Sequence, residues 1–269
     1  MFSEQIGTQI LEISHKRIES PSQSVYFNHI HNYGEILLFI TGQANYNIDG
    51  QIFTPKPYDI LFVPAATYHY LIPTASVPHE NYVIGIAPTF IEAEKYEKLF
   101  RTPMMFSLKD DLELYSYFKR LDSYYEQYSI DDFLCCAQCL VRELVTYCYY
   151  HKNALTSVCS TNLTHINNMI TYIHEHLDQE LDADKIAQHL MMSKSYVQNL
   201  FSQNMHIGLK KYIMQKKIHA AHMDISQGLT PSAVCDKYAF GDYSSFYRLY
   251  RKTFGASPKK QWPRTSDIG

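Results

Sequence analysis

The sequence predicts an α+β protein of more than one domain: a small β-barrel or sandwich with helices first, then an all-α domain built from two similar helix pairs. Three observations predict it. Short β-branched and aromatic runs follow one another from about Val25 to Ala87 with no helical stretch between them. From about residue 165 onward the apolar residues recur at helical spacing. Charge is also segregated along the chain. Residues 1–160 hold 11 Lys and Arg against 18 Asp and Glu, whereas residues 185–264 hold 13 against 3. A chain of 269 residues is long enough for two domains, and its net charge of −3 conceals an acidic part joined to a basic, phosphate-seeking one.

In the first part the expected strands are Glu35–Thr41, Ala44–Ile48, Ile60–Val63, Tyr68–Ile72 and Tyr82–Ile86. Gly42, Asp49-Gly50 and Pro55-Lys56-Pro57 separate them, and Asp49-Gly50 is a strong hairpin turn. Two helices follow. Leu114, Phe118, Leu121 and Tyr125 make one apolar stripe; Leu134, Ala137, Val141, Leu144 and Cys148 make the other. Such stripes suit either the barrel or a partner subunit. The polar stretch Lys152–Thr164 reads as a linker.

The six cysteines are Cys135, Cys136, Cys139, Cys148, Cys159 and Cys235. Cys136 and Cys139 form a CxxC, but no second pair or flanking histidine completes a zinc site, so reduced thiols packed as small hydrophobes are expected. No Arg/Lys-led apolar leader follows Met1 and no apolar run approaches 18 residues, which points to the cytoplasm and away from a membrane.

In the helical part, Ile186, Ala187 and Leu190 are the inward side of a short helix, and Ser193 caps a second. That second helix buries Val197, Leu200 and Phe201 and presents Ser195, Gln198, Asn199 and Ser202 on its other face. A long segment, Leu209–Ser226, leads to a repeat of the plan. Thr230-Pro231 opens the next short helix as cap and first helical residue, with Val234 and Cys235 inward. Asp242 caps the last one. Phe246, Leu249, Tyr250 and Phe254 form its buried stripe, Tyr243, Ser244, Tyr247, Arg248 and Arg251 lie opposite, and Gly255 and Pro258 stop it. A supporting helix, a tight turn and a reading helix, twice over, is helix-turn-helix logic for the DNA major groove.

Three stretches, Ile186–Phe201, Lys210–Ala221 and Phe240–Pro258, give Leu163–Trp262 a resemblance to the AraC-type transcription regulators. The last stretch keeps its Phe, Asp, Ser, Phe-x-Arg, Arg-Lys, Gly and Ser-Pro positions in order. Departures are Met191 and Ala239 at the two turn glycines, His206 at the glycine after the first reading helix, and Asp224 where a leucine is usual. The resemblance implies that both reading helices enter successive major grooves of double-stranded DNA, about 34 Å apart. Arg248 is then the guanine contact, Gln198 and Asn199 suit adenine, and Tyr243, Ser244, Tyr247 and Ser195 add weaker contacts. Lys194, Lys210, Lys211, Arg251 and Lys252 are the phosphate candidates.

His29-Ile30-His31, then Glu35, then Gly42 resembles the HxH…E motif of cupin barrels, and His69 stands at the later cupin histidine. Tyr58 and Ala66 replace two glycines of the second cupin motif, and Pro73 replaces its usual asparagine. Along a strand His29 and His31 share a face, so two imidazoles and a carboxylate converge. Three nitrogens and one oxygen suit divalent Zn, Fe, Mn or Ni, which is the pattern of a metal-dependent cupin enzyme with a helical appendage. The AraC resemblance implies the alternative use of the same residues, a pocket for a small effector, commonly a sugar, with no cofactor required and no catalysis.

The domain plan expected is therefore 1–108 cupin-like effector-binding, 109–151 helical dimerisation, 152–164 linker and 165–269 DNA-binding with two helix-turn-helix units. The expected partners are double-stranded DNA, a small-molecule effector, a second copy of the chain in a homodimer, and RNA polymerase if the protein activates.

Overall fold

The computed structural model describes residues 2–8, 10–21, 29–108, 111–151, 156–157, 161–162 and 164–261. The chain forms two compact units, Met1–Thr161 and Asn162–Gly269. The expected fold class holds: an antiparallel β domain with helices, then a helical domain.

The first unit contains β1 (Phe2–Gly7), β2 (Leu11–Ile18), β3 (Gly34–Thr41), β4 (Ala44–Ile48), β5 (Gln51–Phe53), β6 (Asp59–Val63), β7 (His69–Pro73), β8 (His79–Ile86), β9 (Met104–Ser107), β10 (Thr156–Ser157) and β11 (Thr161–Asn162). One sheet runs β1-β2-β8-β3-β6-β9-β10 and the other β11-β5-β4-β7. The helices of this unit are α1 (Ala93–Phe100), α2 (Leu112–Gln127) and α3 (Ile130–His151).

Strand β3 shows why the larger sheet is so apolar. Its residues GEILLFIT bury both faces. Ile36 and Leu38 join the core shared with α2 and α3, while Leu37 and Phe39 join the core between the sheets. A strand covered on both sides reads as a continuous apolar run instead of an alternation. At the β4–β5 hairpin, Asp49 and Gly50 have φ of 44° and 80°, as a two-residue turn matched to strand twist demands.

The two helical stripes pack onto the unit's own sheet. Leu114, Phe118 and Leu121 of α2 and Ala137, Val141, Leu144 and Cys148 of α3 share one core with Ile36, Leu38, Ile60, Phe62, Tyr82 and Ile84. Of the two homes the sequence left open, the barrel takes these stripes. Strands β1 and β2 were not anticipated. In LEISHKRI the cavity-facing side is polar, so the run lacks the apolar signature of a strand. Val25–Asn28, expected as the start of the β region, lie outside the described residues. The segment expected as a linker instead contributes β10 and β11, because backbone pairing at a sheet edge needs no apolar side chains; the rest of 152–164 but Thr164 lies outside the described residues.

A buried charge cluster fastens α2 to the sheet. His15 of β2 is 2% exposed, and its ring faces a carboxylate at each nitrogen: Asp122 of α2 at 2.7 Å and Glu80 of β8 at 3.0 Å. Its ring stacks on Tyr82, whose hydroxyl donates to Asp122, and Arg17 holds the far oxygen of Glu80 at 3.1 Å. Burial raises the Asp122 carboxyl, but hydrogen bonds from His15 and Tyr82 outweigh it and leave the group below its ordinary value. Glu80 behaves alike, with His15 and Arg17 outweighing burial.

The helical unit contains α4 (Thr164–Glu175), α5 (Ala183–His189), α6 (Lys194–Met205), α7 (Leu209–Ser226), α8 (Pro231–Lys237), α9 (Tyr243–Phe254) and α10 (Pro258–Gln261). Its spine is α7, which buries Leu209, Tyr212, Ile213, Lys216, Lys217, Ile218, His219, Ala221 and Ile225 and so is covered on almost every side. Of the two histidines near the end of α4, His174 is exposed, whereas His176 is partly covered and stacks on Tyr172 at 4.1 Å.

A carboxylate whose folded pKa lies below its unfolded one stabilises the fold above about pH 4 and loses that contribution as pH falls through the folded value. Asp122→Asn is therefore expected to lower the urea midpoint at pH 7 and to flatten its decline in acid. The two proteins should converge once the pH has fallen below the folded value of Asp122, which lies under its ordinary one. Parallel curves down to that pH would mean Asp122 is not the acid-sensitive fastening.

Candidate nucleic-acid interface and ligand cavity

Each reading helix is begun by a side-chain cap and braced from behind. Ser193 accepts a hydrogen bond from the Tyr196 N–H, and Asp242 from the Ser245 N–H, as N-caps do. Behind α6, Val197, Phe201 and Met205 are buried, with the Phe201 ring edge-on to Tyr212 of α7. Behind α9, Phe246 and Tyr250 are buried, and His222 Nδ1 of α7 lies 2.7 Å from the Tyr250 hydroxyl. The second supporting helix is capped as expected too, with Thr230 accepting from the Ala233 N–H and Pro231 at the first helical position, and Asp182 caps the first by accepting from the Lys185 N–H.

The outward residues fall where the sequence placed them. Ser195, Gln198 and Asn199 are exposed on α6; Tyr243, Ser244 and Arg248 are exposed on α9, with Tyr247 partly so. The Arg248 guanidinium is steadied by a 3.1 Å hydrogen bond to Ser245 Oγ, which orders its fork for a bidentate acceptor. Among the phosphate candidates, Lys210, Lys211, Arg251 and Lys252 are exposed. Lys210 and Lys211 stand in the first turn of α7, beside N–H groups that no side chain caps. Lys194 differs: it is held 2.6 Å from Asp184, which raises its pKa. Ser202 is partly covered, its hydroxyl donating back to the Asn199 carbonyl.

Two residues of this interface escaped the sequence reading. Tyr196, 49% exposed, lies beside Ser195 at the entry of α6. Lys217, 3% exposed, donates to the carbonyls of Gln179, at 2.5 Å, and Tyr238, at 2.8 Å. One ammonium thus ties the segment leading into the first helix pair to the end of the supporting helix of the second. Burial lowers its pKa, and nearby Asp178 and Glu180 oppose that shift. A basic residue at a buried position of an otherwise apolar stripe was the available signal. Asp224, at the usual leucine, accepts from Lys237 Nζ at 2.7 Å and the Tyr238 hydroxyl at 2.8 Å, and so clamps α8 onto α7.

Met191, Ala239 and His206 all have positive φ, at 54°, 49° and 52°. The substituted turns keep the left-handed backbone that glycine tolerates at no cost, and each side chain is forced into it.

In the first unit a cavity of about 490 Å³ opens between the two sheets. Lys16, Leu37, Tyr46, Tyr70, Leu71 and Asn81 are among its lining residues, and His29, Glu35 and His69 occupy one part of its wall. The four expected residues do converge: one donor atom from each of His29, His31, Glu35 and His69 lies within 4.8 Å of every other. His29 pairs with His69 through two backbone hydrogen bonds, 3.2 and 3.1 Å, as an isolated bridge and not as part of a strand. The His31 carbonyl accepts from the Ala66 N–H at 2.7 Å, so the left-handed Ala66, φ 54°, anchors the first motif to the second. Tyr33 stacks on His31 at 3.9 Å and lies against Gly85, where a Cβ would come within 2.6 Å of its ring.

Glu35 is 6% exposed, with His31 Nε2 at 3.3 Å and His69 Nε2 at 3.8 Å from its Oε2. Burial would raise its pKa, yet the two imidazoles outweigh burial and hold it well below the usual carboxylate range. For His69 burial acts downward, and the Glu35 carboxylate overcomes it and raises the imidazole. The donor set, three imidazoles and a carboxylate around a buried centre, fits a divalent transition metal.

The family model described as AraC-like ligand binding domain matches residues 16–129, and the one described as helix-turn-helix domain matches residues 186–261. The chain belongs to the AraC-type transcription regulators. The regulator is 23% identical over 250 residues to the probable transcriptional regulator LumQ of Photobacterium leiognathi, covering 91% of this chain and 94% of that one. It is 30% identical over 97 residues to the arabinose operon regulatory protein of Salmonella typhimurium, covering 35% of this chain and 34% of that one. Against several of its relatives the regulator thus spans only about a third of their length. Among solved structures, ToxT from Vibrio cholerae O395 aligns with a TM-score of 0.40 at 10% identity, over 94% of this chain and 97% of that one. Among the described residues no helix is long and apolar enough to cross a membrane.

Ala239→Gly removes a Cβ from a left-handed residue and is expected to stabilise the helical unit by about 0.5–1 kcal/mol in urea unfolding. Destabilisation would show that the Ala239 side chain is needed there for packing. Lys217→Met leaves the buried Tyr238 carbonyl and the partly buried Gln179 carbonyl without their donor and should cost about 1–3 kcal/mol. Lys210→Met, at an exposed site, serves as the control and should leave the urea midpoint within error.

Proposed function

We propose that this regulator reads DNA with α6 and α9 in successive major grooves and is controlled by a small polar molecule bound in the cavity of the first unit. The observation that carries the reading is the repeated build of the two helices. Each is capped, braced on α7 and turned polar side outward, within a segment holding 13 basic against 3 acidic residues. Neither pattern would be needed by a helical appendage to an enzyme.

In this reading Arg248 engages guanine O6 and N7, Gln198 and Asn199 address adenine, and Ser195, Tyr243, Ser244 and Tyr247 complete the base face. Lys210, Lys211, Arg251 and Lys252 hold phosphates; Lys194 does so after leaving Asp184. Two copies of the chain read repeated half-sites, and RNA polymerase is a further partner if the regulator activates. The apolar stripes of α2 and α3 are occupied within their own unit, so the homodimer uses the outward side of these helices or another face. The regulator works in the cytoplasm.

The cavity suits a sugar or related polar metabolite. The Tyr46 hydroxyl is positioned by Asn81 at 3.4 Å, with Leu37, Leu71 and Val83 supplying apolar wall. A hydroxyl-rich ligand with hydrocarbon faces matches such a lining. Control requires that the ligand bind one functional state better than the other.

Enrichment of random duplexes for the preferred site tests the DNA half. Arg248→Ala should relax discrimination at one base pair and cost about 1–3 kcal/mol, while wild-type affinity falls steeply with salt. An equal loss at every base substitution would make Arg248 a phosphate contact. No enrichment over random duplex would overturn the DNA reading.

A further inference from the structure

The cysteines divide into two kinds. Cys148 on α3 and Cys235 on α8 are buried as small hydrophobes, as expected. Cys135 and Cys139 of α3 depart from that expectation: both are exposed free thiols, and the free thiol of Cys136 between them is half-buried. Cysteine is among the residue types most often buried, and exposed thiols are the ones that oxidise or take up metals. Three of them on one turn of a solvent-facing helix therefore call for a chemical use.

The helix fixes how they stand. Cys139 lies one turn beyond Cys135 and three residues beyond Cys136, so it shares a face with each. Cys135 and Cys136 project to its two sides, about 100° apart around the axis. Side chains three and four residues apart have Cβ atoms about 5–6 Å from each other, whereas a disulfide needs about 3.5–4.5 Å. Neither Cys135 nor Cys136 closes a disulfide with Cys139 without distorting α3. An ion about 2.3 Å from each sulfur, the length of a metal–thiolate bond, spans that gap. Each thiol turns about a single side-chain bond, which lets the outer two swing toward Cys139.

Charge selects the ion. Asp131 and Asp132 open α3 four residues before Cys135 and Cys136, and Glu143 follows Cys139 at the same spacing; all three are exposed. The nearby bases are engaged, Arg142 over the Phe90 ring at 4.5 Å and Arg120 of α2 at 3.8 Å from Glu143. Three thiolates around Cu(I) would add two negative charges to this acidic face, and around a divalent ion one; like charges at that spacing repel. A trivalent soft ion adds none.

We propose that Cys135, Cys136 and Cys139 bind a trivalent thiophilic metalloid of the arsenic(III) class, one bond from each sulfur. With arsenous acid the step balances and transfers no electrons: three As–O bonds break, three As–S bonds form, and each hydroxide leaves with a thiol proton as water. The site shares no residue with the cavity or the reading helices and stands whether or not the function proposed above holds.

The test uses the reduced full chain, desalted without oxygen and given sodium arsenite. Arsenic content after gel filtration and the cysteines still open to iodoacetamide, located by peptide mapping, are the readouts. One arsenic per chain is expected, with Cys135, Cys136 and Cys139 protected. Serine at any one of these positions should weaken uptake about tenfold or more, because one intramolecular donor is lost. Cys159→Ser and Cys235→Ser should leave it unchanged. Cys135 and Cys139 are exposed, so their variants keep the test valid if Cys136→Ser fails the far-UV circular dichroism check for folding. No uptake by wild type, or uptake equal to wild type in Cys135→Ser, Cys136→Ser or Cys139→Ser, overturns the site. One arsenic per two chains, bridging copies, overturns it as well. Cu(I) or Zn supplied alone should be lost on gel filtration; retention of either where arsenic is lost overturns the choice of ion.

Discussion

The reading heads depend on one constraint: α7 must be buried nearly all round, and a helix buried all round has no face left for solvating charge. Lys217 meets that constraint by giving its protons to two carbonyls, that of Gln179 ahead of α5 and that of Tyr238 at the end of α8. The same helix supplies His222 to the Tyr250 hydroxyl and Asp224 to Lys237 and Tyr238. The polar groups leaving α7 therefore reach the end of α8, twice over, the last helix α9 and the approach to the first helix pair. Buried polar ties of this kind carry little net stability when intact and cost much when one partner is lost. They make the relative placement of the two reading helices a property of α7 and its contacts, and not of the short turns within each pair.

The first unit solves the opposite problem. A cavity must keep polar groups inside a β domain without collapsing it. Alternation along β2 does this: Ile13 and His15 point to the helices, while Glu12, Ser14 and Lys16 point to the cavity. On β3 the same alternation puts Glu35 beside Leu37 and Phe39, so the carboxylate is buried at 6% exposure and must be compensated locally. The imidazoles do so from segments that the backbone pins together. The His15 cluster on the other side of β2 compensates its two carboxylates in the same way, which is why a strand with four charged or titratable residues is stable in the middle of a sheet.

Legibility in the sequence followed from how local each signal is. Caps and stripes are local, so Ser193, Thr230-Pro231 and Asp242 were each read as helix starts, and the outward residues of α6 and α9 followed from spacing. Five of the six strands between Gly34 and Ile86 were legible because at least one face of each is apolar. β1, β2 and β5 were not, since the polar side of β2 faces a cavity that only the other strands create and β5 is three residues long. The convergence of His29, His31 and Glu35 was legible as a spacing, and that of His69 only through the resemblance to cupin barrels. What orients the rings, the carbonyls of Tyr33 and Thr67 beside Nδ1 of His31 and His69 and the support of Ala66, was not, because it is set by backbone geometry in loops. Lys217 was hidden for a related reason: its partners are carbonyls 38 and 21 residues away, and carbonyls leave no mark on a sequence.

The left-handed residues connect these threads. Of the non-glycine residues with positive φ, Asp49 belongs to a residue type that tolerates the conformation and sits in a hairpin that requires it. Tyr58, Ala66, Met191 and Ala239 have no such excuse, and each stands where glycine would relieve the backbone, whereas His206 is of a tolerant type and caps a helix end. Strain of this order persists only where the surroundings over-determine the conformation. At Ala66 the N–H to the His31 carbonyl is such a surrounding, and at Ala239 the N–H to the Asp236 carbonyl is another. The geometry of the turns is thus imposed by hydrogen bonds and by the packing of what they join, which explains how both the cavity and the reading heads keep their shape after losing the residue that ordinarily makes their turns easy.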